Sequence, residues 1–170
     1  MPVPLPYARP AALLALLLSS TLLGGCLLQQ NKPQWAMASA KNEQQQTTLV
    51  FRYLKGLPPG FATAEQPVKI TIDWKYQSAN GMPDTATSTR MSEMEKLLEP
   101  LVNSWGFATL ALVSTGQGDK QWIYYAKSEE GFFSRMNQAL AGLPRLPLEI
   151  QAEQEPGWDS YKDFISGLHK

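Results

Sequence analysis

Thiol and imidazole chemistry each rest on a single residue, because the chain has one cysteine and one histidine. Cys26 stands at the end of an apolar stretch, after Leu23-Gly24-Gly25. His169 is next to last. A catalytic base belongs on a rigid, packed element, so His169 reads as part of a solvated tail. A lone cysteine forms no intramolecular disulfide and no thiolate metal cluster. No His/Asp/Glu spacing suggests a metal, and no cofactor is expected. None of the serines sits in a nucleophile elbow. Gly116-x-Gly118 lacks the third glycine and following helix of a dinucleotide loop, so it reads as a hairpin. Carboxylates remain. Asp73, Asp84 and Asp159 could share acid–base work if they converge, since paired carboxylates do so once their surroundings push their pKa values apart. Taken separately they read as an exposed strand residue, a turn residue and a first-turn helix residue favoured by the helix dipole. Trp74, Tyr76, Trp122, Tyr124, Tyr125, Trp158 and Tyr161 supply either a core or a ligand cage. No catalytic residue is assigned.

The segment before Cys26 explains the cysteine. Arg9 is its one charged side chain, Ala11 to Leu18 is unbroken apolar sequence, and small residues precede Cys26. Those are the parts of a secretory signal. The run is shorter than the roughly 20 residues a spanning helix needs. Leu23-Gly24-Gly25-Cys26 resembles the lipobox of bacterial lipoproteins, with Gly24 where Ala or Ser is more usual. That resemblance implies cleavage before Cys26, a diacylglyceryl thioether on its sulfur and a palmitate-type acyl chain on its new amino terminus. Two or more chains give stable anchoring where one does not. Leu27 stands where an aspartate would favour inner-membrane retention, so the expected location is the outer membrane, facing the periplasm.

Residues 1–25 thus form a signal peptide. Beyond it, about 145 residues suit one domain plus a tether. With Arg9 removed, 14 of the 15 basic residues remain against 15 acidic ones, a net of about −1. That balance argues against nucleic acid as a partner. Residues 26–48 are polar and Gln-rich and read as a flexible tether, with a short helix over Ala36 to Gln46 as an option; Trp35 could sit at the membrane interface.

Residues 49–170 read as a single α+β domain with its core at 68–165. Leu49 to Leu54 is a short strand. Val68, Ile70, Ile72, Trp74 and Tyr76 alternate with polar residues, the period of a strand with one buried face. Asn80-Gly81-Met82-Pro83-Asp84 is a loop. Met91, Met94, Leu98, Leu101 and Trp105 recur at helical spacing, with Thr87, Ser88 or Thr89 as the cap and Pro100 as a kink. Phe107 to Ser114 and Gln121 to Lys127 are strands joined by a hairpin turn, Trp122 and Tyr124 on one face, Ile123 and Tyr125 on the other. Ser128 caps a second helix faced by Phe132, Phe133, Met136 and Leu140. Leu146 to Ala152 is the last strand, and a short closing helix follows Pro156-Gly157. The order strand, helix, strand, strand, helix, strand predicts a ferredoxin-like βαββαβ antiparallel sheet with both helices on one face, plus a short C-terminal helix.

Trp74-Lys75-Tyr76, Gly81-Met82-Pro83-Asp84, Met94-Glu95, Gln121 to Tyr125 and Gly157-Trp158-Asp159-x-Tyr161 together resemble the bacterial domain-of-unknown-function family 695, over roughly Ile70 to Phe164. That family's aspartate before the tryptophan appears here in reversed order, as Trp158-Asp159. The outline is also similar to the regulator-of-ribonuclease-E family, whose ferredoxin-like domain acts by binding an enzyme. The resemblance implies a binding module. The preferred expectation is therefore a lipid-anchored module that binds another envelope protein, with contact residues drawn from Gly81, Met82, Pro83, Asp84, Trp74, Tyr125, Trp158 and Asp159. The alternative is an envelope hydrolase or small-ligand binder that uses Asp73, Asp84 and Asp159 beside Trp74 and Tyr125.

Overall fold

The computed structural model describes residues 32–42, 47–100 and 106–168. Cys26, Trp105 and His169 lie outside them. The chain divides into two units, Met1–Gln30 and Asn31–Lys170, and the described residues all belong to the second.

The domain is α+β: a six-stranded antiparallel sheet with three α-helices. Strands β1 (Trp35–Asn42) and β2 (Thr47–Leu54) come first. Then follow β3 (Val68–Lys75), helix α1 (Thr85–Leu98), β4 (Ala108–Gly116) and β5 (Asp119–Ala126). Helix α2 (Glu129–Leu140), β6 (Leu148–Gln154) and helix α3 (Asp159–Gly167) complete it. The sheet order is β1-β2-β4-β5-β3-β6.

The element order from Val68 onward is the expected one, but the four-stranded sheet is corrected to six strands. The flexible tether over 26–48 is corrected at Trp35–Asn42, as is the optional helix there. Those residues pair antiparallel with β2 along their whole length, from Trp35↔Leu54 to Asn42↔Thr47. Gln-rich flanks and short side chains hide the strand, because an edge strand buries little apolar area and instead satisfies its backbone through the ladder.

Period-two alternation decides β3. Val68, Ile70, Ile72 and Trp74 are buried against Met91, Met94 and Leu98 of α1 and Phe132 and Met136 of α2, with Trp122 and Tyr124 of β5. Both helices therefore lie on one face. The other face is not left to solvent: Trp158, Tyr161 and Ile165 of the α3 segment pack there with Ala111, Ile123 and Tyr125. The sheet is the middle of three layers. Each large apolar side chain buried this way contributes about 1.5–3 kcal/mol.

Two local devices set the sheet's geometry. Gln117 (φ 57°) and Gly118 (φ 80°) form the two-residue turn between β4 and β5, the positive-φ pair that matches strand twist in tight hairpins. A Cβ on Gly116 (φ 147°) would lie 2.3 Å from the Thr48 carbonyl oxygen, so only glycine lets β2 approach here. The β4–β5 register also slips between Leu110 and Leu112. The extra residue, Ala111, is buried on the α3 face, while Leu110 and Val113 both belong to the α1 side. A bulge of this kind re-aims side chains that strict alternation would separate.

Candidate functional site

The expected contact residues turn out to hold the fold together. The Gly81 carbonyl accepts from Gly118 N (3.0 Å) and the Tyr76 hydroxyl (3.0 Å), stitching the 81–84 loop to the hairpin turn. Met82 N donates to Asn80 Oδ1 at 2.9 Å, an Asx turn leading through Pro83. Asp84, rather than the threonines or Ser88, caps α1, accepting from Thr87 N at 2.7 Å. That backbone bond holds its carboxyl below the usual value. Trp74 is buried beneath α1, with Arg90 over its ring at 5.4 Å.

Tyr125 and Trp158 are fully buried on the opposite face, stacked with ring centroids 4.1 Å apart. Trp158 takes a left-handed backbone (φ 55°) and donates its indole N–H to the Gln66 carbonyl at 2.9 Å. No side chain at position 158 caps α3. Glu155 does this instead: its carboxylate accepts from Ser160 N (2.7 Å), Ser160 Oγ (2.8 Å) and the Tyr125 hydroxyl (2.6 Å), and pairs with Lys69 Nζ (2.8 Å). Burial pushes that carboxyl up, but Lys69, Tyr125 and Ser160 outweigh burial and hold it at about 2. The Tyr125 phenol is driven far up, by burial first and then by Glu155. Tyr161 donates to the Leu54 carbonyl at 2.8 Å, and burial raises its phenol to about 12.

The three aspartates do not share a cleft. Asp84 adjoins the end of β3 and Asp159 lies beyond its start, so a strand of 8 residues, roughly 26 Å, separates those regions. Asp73 accepts from Gln121 Nε2 at 2.8 Å. Its acidic neighbour is Asp119, whose carboxyl is raised by burial and then by Asp73 itself. Trp74 and Tyr125 face opposite sides of the sheet. The hydrolase geometry is thereby overturned. Among the described residues no group of three His, Cys, Asp or Glu could hold a metal ion, and no helix is long and apolar enough to cross a membrane.

A different site emerges where α1 and α2 stop short of the sheet's β1–β2 side. A cleft of about 730 Å³ opens between α1 and the strands. Val50, Leu110, Val113 and Tyr124 line it together with Trp35 and Met37 of β1. Among the described residues Met37 is the most exposed large apolar one, at 72%. Six charged residues line the cleft, Lys32, Arg52, Lys96 and Lys120 against Glu95 and Glu99. Three of them, from three elements, meet: Arg52 of β2, Glu95 of α1 and Lys120 of β5. Arg52 Nη2 bonds Glu95 Oε1. Trp122 Nε1 donates to Glu95 Oε2 at 3.0 Å. Lys120 Nζ stands 3.8 Å from the same oxygen and 4.8 Å over the Trp122 ring. The Arg52 guanidinium lies 5.0 Å over Trp35.

The electrostatics are uneven. Burial pushes the Glu95 carboxyl up, but Trp122, Arg52 and Lys120 bring it net below its usual value. Burial pushes the Lys120 ammonium down, Arg52 adds to this, and Glu95 only partly offsets it. Two cations thus share one carboxylate in a largely desolvated spot.

Sequence reasoning passed over this constellation, although each member leaves a trace. Arg52 is the one charge within Leu49 to Leu54. Glu95 sits beside Met91, Met94 and Leu98 on a helix face that should be apolar. Lys120 shares its strand face with Trp122 and Tyr124. A charge on an otherwise buried face is the informative exception.

The fold and cleft define a small α+β domain with a concave, charge-lined surface at the flank of its sheet. The chain belongs to a family of unknown function, DUF695, whose model matches residues 33–166. The match takes in β1, which the sequence motifs left out. No curated protein matches the sequence.

Proposed function

We propose that this chain is a lipid-anchored protein of the bacterial envelope whose domain is a binding module, with the cleft beside α1 as its contact surface. The observation that carries this reading is the meeting of Arg52, Glu95 and Lys120 at an apolar-lined cleft. Polar groups that converge in a concavity with apolar walls are a usual mark of a binding site. Leu23-Gly24-Gly25-Cys26 supports acylation at Cys26, and Leu27 supports the outer membrane facing the periplasm. Eight residues, 27–34, separate Cys26 from β1 in the sequence. We further read β3 to β6 with α1 and α2 as a ferredoxin-like βαββαβ unit extended by β1 and β2. The order β4-β5-β3-β6 and the antiparallel pairings support this.

A photo-crosslinking residue placed at Met37, on the cleft, and separately at Lys162, exposed on α3, tests the contact surface in intact envelopes. A reproducible adduct at 37 and none at 162 is the expected result. No adduct at 37, or the same adducts at both positions, overturns it. Cys26→Ala should abolish lipid labelling and processing; labelling that persists removes the anchor.

A further inference from the structure

We infer that the cleft takes an amphipathic anion: a carboxylate or phosphate head seated at Lys120 and Arg52, on an apolar body lying along Trp35, Met37, Val50 and Leu110. The inference rests on the cleft being the contact surface proposed above and names the chemistry of what it holds.

The charge count points this way. Glu95 is the carboxylate that both Arg52 and Lys120 approach. Its two oxygens are already engaged, Oε1 by the guanidinium and Oε2 by the Trp122 indole N–H at 3.0 Å. Lys120 is left at 3.8 Å from Oε2, an ion-pair distance beyond a normal N–H···O bond. Its side chain is only 16% exposed, so water compensates it poorly. A partly buried ammonium without a close acceptor is costly, and a second anion relieves that cost. Arg52 and Lys120 come from strands on either side of β4, so one head group can bridge them. A guanidinium and an ammonium together suit carboxylate and phosphate alike.

The remaining surface selects the body. Val50, Leu110, Val113 and Tyr124 give the cleft an apolar lining, and Trp35 and Met37 extend it to the exposed edge of the sheet. A volume of about 730 Å³ falls within the range of small-molecule sites. An ion recognised by charge alone would need no such lining, and a purely apolar ligand would leave Lys120 with only the shared Glu95 and the Trp122 ring to offset its charge. The depression of Lys120 by burial and by Arg52 agrees, since an anion beside it would restore its proton affinity.

The test uses the full chain in nanodiscs of zwitterionic lipid, with empty nanodiscs as background. Four soluble probes share one body and differ in the head: 4-phenylbutyrate, 4-phenylbutyl phosphate, 4-phenylbutanol and 4-phenylbutylamine. Equilibrium dialysis gives each affinity. Both anions, or one of them, should bind about tenfold or more tighter than the alcohol, and the amine more weakly than either. The tighter of the two anions separates a carboxylate source from a phosphate source. Lys120→Gln should remove the preference for anions, Lys120→Arg should retain it, and Val50→Phe should weaken all four probes by filling the lining. Lys75→Gln, an exposed lysine paired with Glu149, should change nothing. Circular dichroism on each variant confirms the fold. Anions no tighter than the alcohol, or an unchanged preference in folded Lys120→Gln, overturn the inference. If Met37 crosslinks reproducibly to a protein while no probe binds, the amphipathic anion is overturned and the cleft's role as contact surface stands. If neither is seen, both fall.

Discussion

Glu155 and Glu95 lie on opposite faces of one sheet, and both are held ionised below the usual carboxylate range by neighbours that outweigh burial. Their surroundings differ in closure. Around Glu155 the donors are used up: Lys69, Tyr125 and both donors of Ser160 bond one carboxylate, and the rings of Tyr125 and Trp158 lie in the core beside it. Around Glu95 the count is lopsided, with Arg52 and Lys120 sharing it beside open volume. A fully satisfied buried network rigidifies a fold. A half-satisfied one costs stability unless something else completes it. The α3 face therefore reads as structure and the α1 cleft as function, although the α3 face carries the aromatics that draw the eye in the sequence.

Variants can break this contrast. Trp158→Ala should have the largest effect, about 3–5 kcal/mol in urea unfolding, because it opens a cavity beside Tyr125 and strands the Gln66 carbonyl. A cost near zero would show that α3 is not part of the cooperative unit. Lys69→Met comes next, at about 2–3 kcal/mol, since it leaves Glu155 buried without its cation.

Glu155 also gives a pH signature. Its folded pKa, about 2, is below its ordinary value of 4.5. Its contribution is therefore complete above about pH 4.5 and is lost as pH falls toward 2, on the order of 3 kcal/mol in all. Glu155→Gln should flatten the stability profile over that window; an unchanged profile would assign the acid sensitivity elsewhere. Asp84→Ala should lower the unfolding midpoint in urea by less than either Trp158→Ala or Lys69→Met, through loss of the α1 cap. Lys120→Met should be the mildest, within about 0.5 kcal/mol of wild type or more stable, because it removes an undercompensated cation. A loss as large as that of Lys69→Met would erase the distinction between the faces.

Much of the fold was legible. The β3 alternation, the Ser128 cap, the β4–β5 hairpin and the split of β5 into Trp122/Tyr124 and Ile123/Tyr125 faces are all observed. These depend on local chemistry: period, capping side chains and positive-φ residues. The first strand was not legible, because Trp35–Asn42 gains its order from pairing with β2 rather than from its own composition. Nor was the role of Asp84, where a turn residue doubles as a cap. The candidate contacts at Trp74, Tyr125 and Trp158 were drawn from aromatic density, which reports burial more often than recognition.

By itself, the sequence determined the period of each core element, the turns, the near-neutral charge and the framing of Cys26, since these follow from neighbouring residues. The tertiary structure alone decided which charges meet. Arg52, Glu95 and Lys120 are separated by 43 and 25 positions, and nothing local couples them. The added strands β1 and β2 bring Arg52 into place, the bulge at Ala111 turns Leu110 and Val113 to the same side, and the helices leave that flank of the sheet open. Short-range preferences set each element's faces, and only the packing of those elements decides which side chains become neighbours.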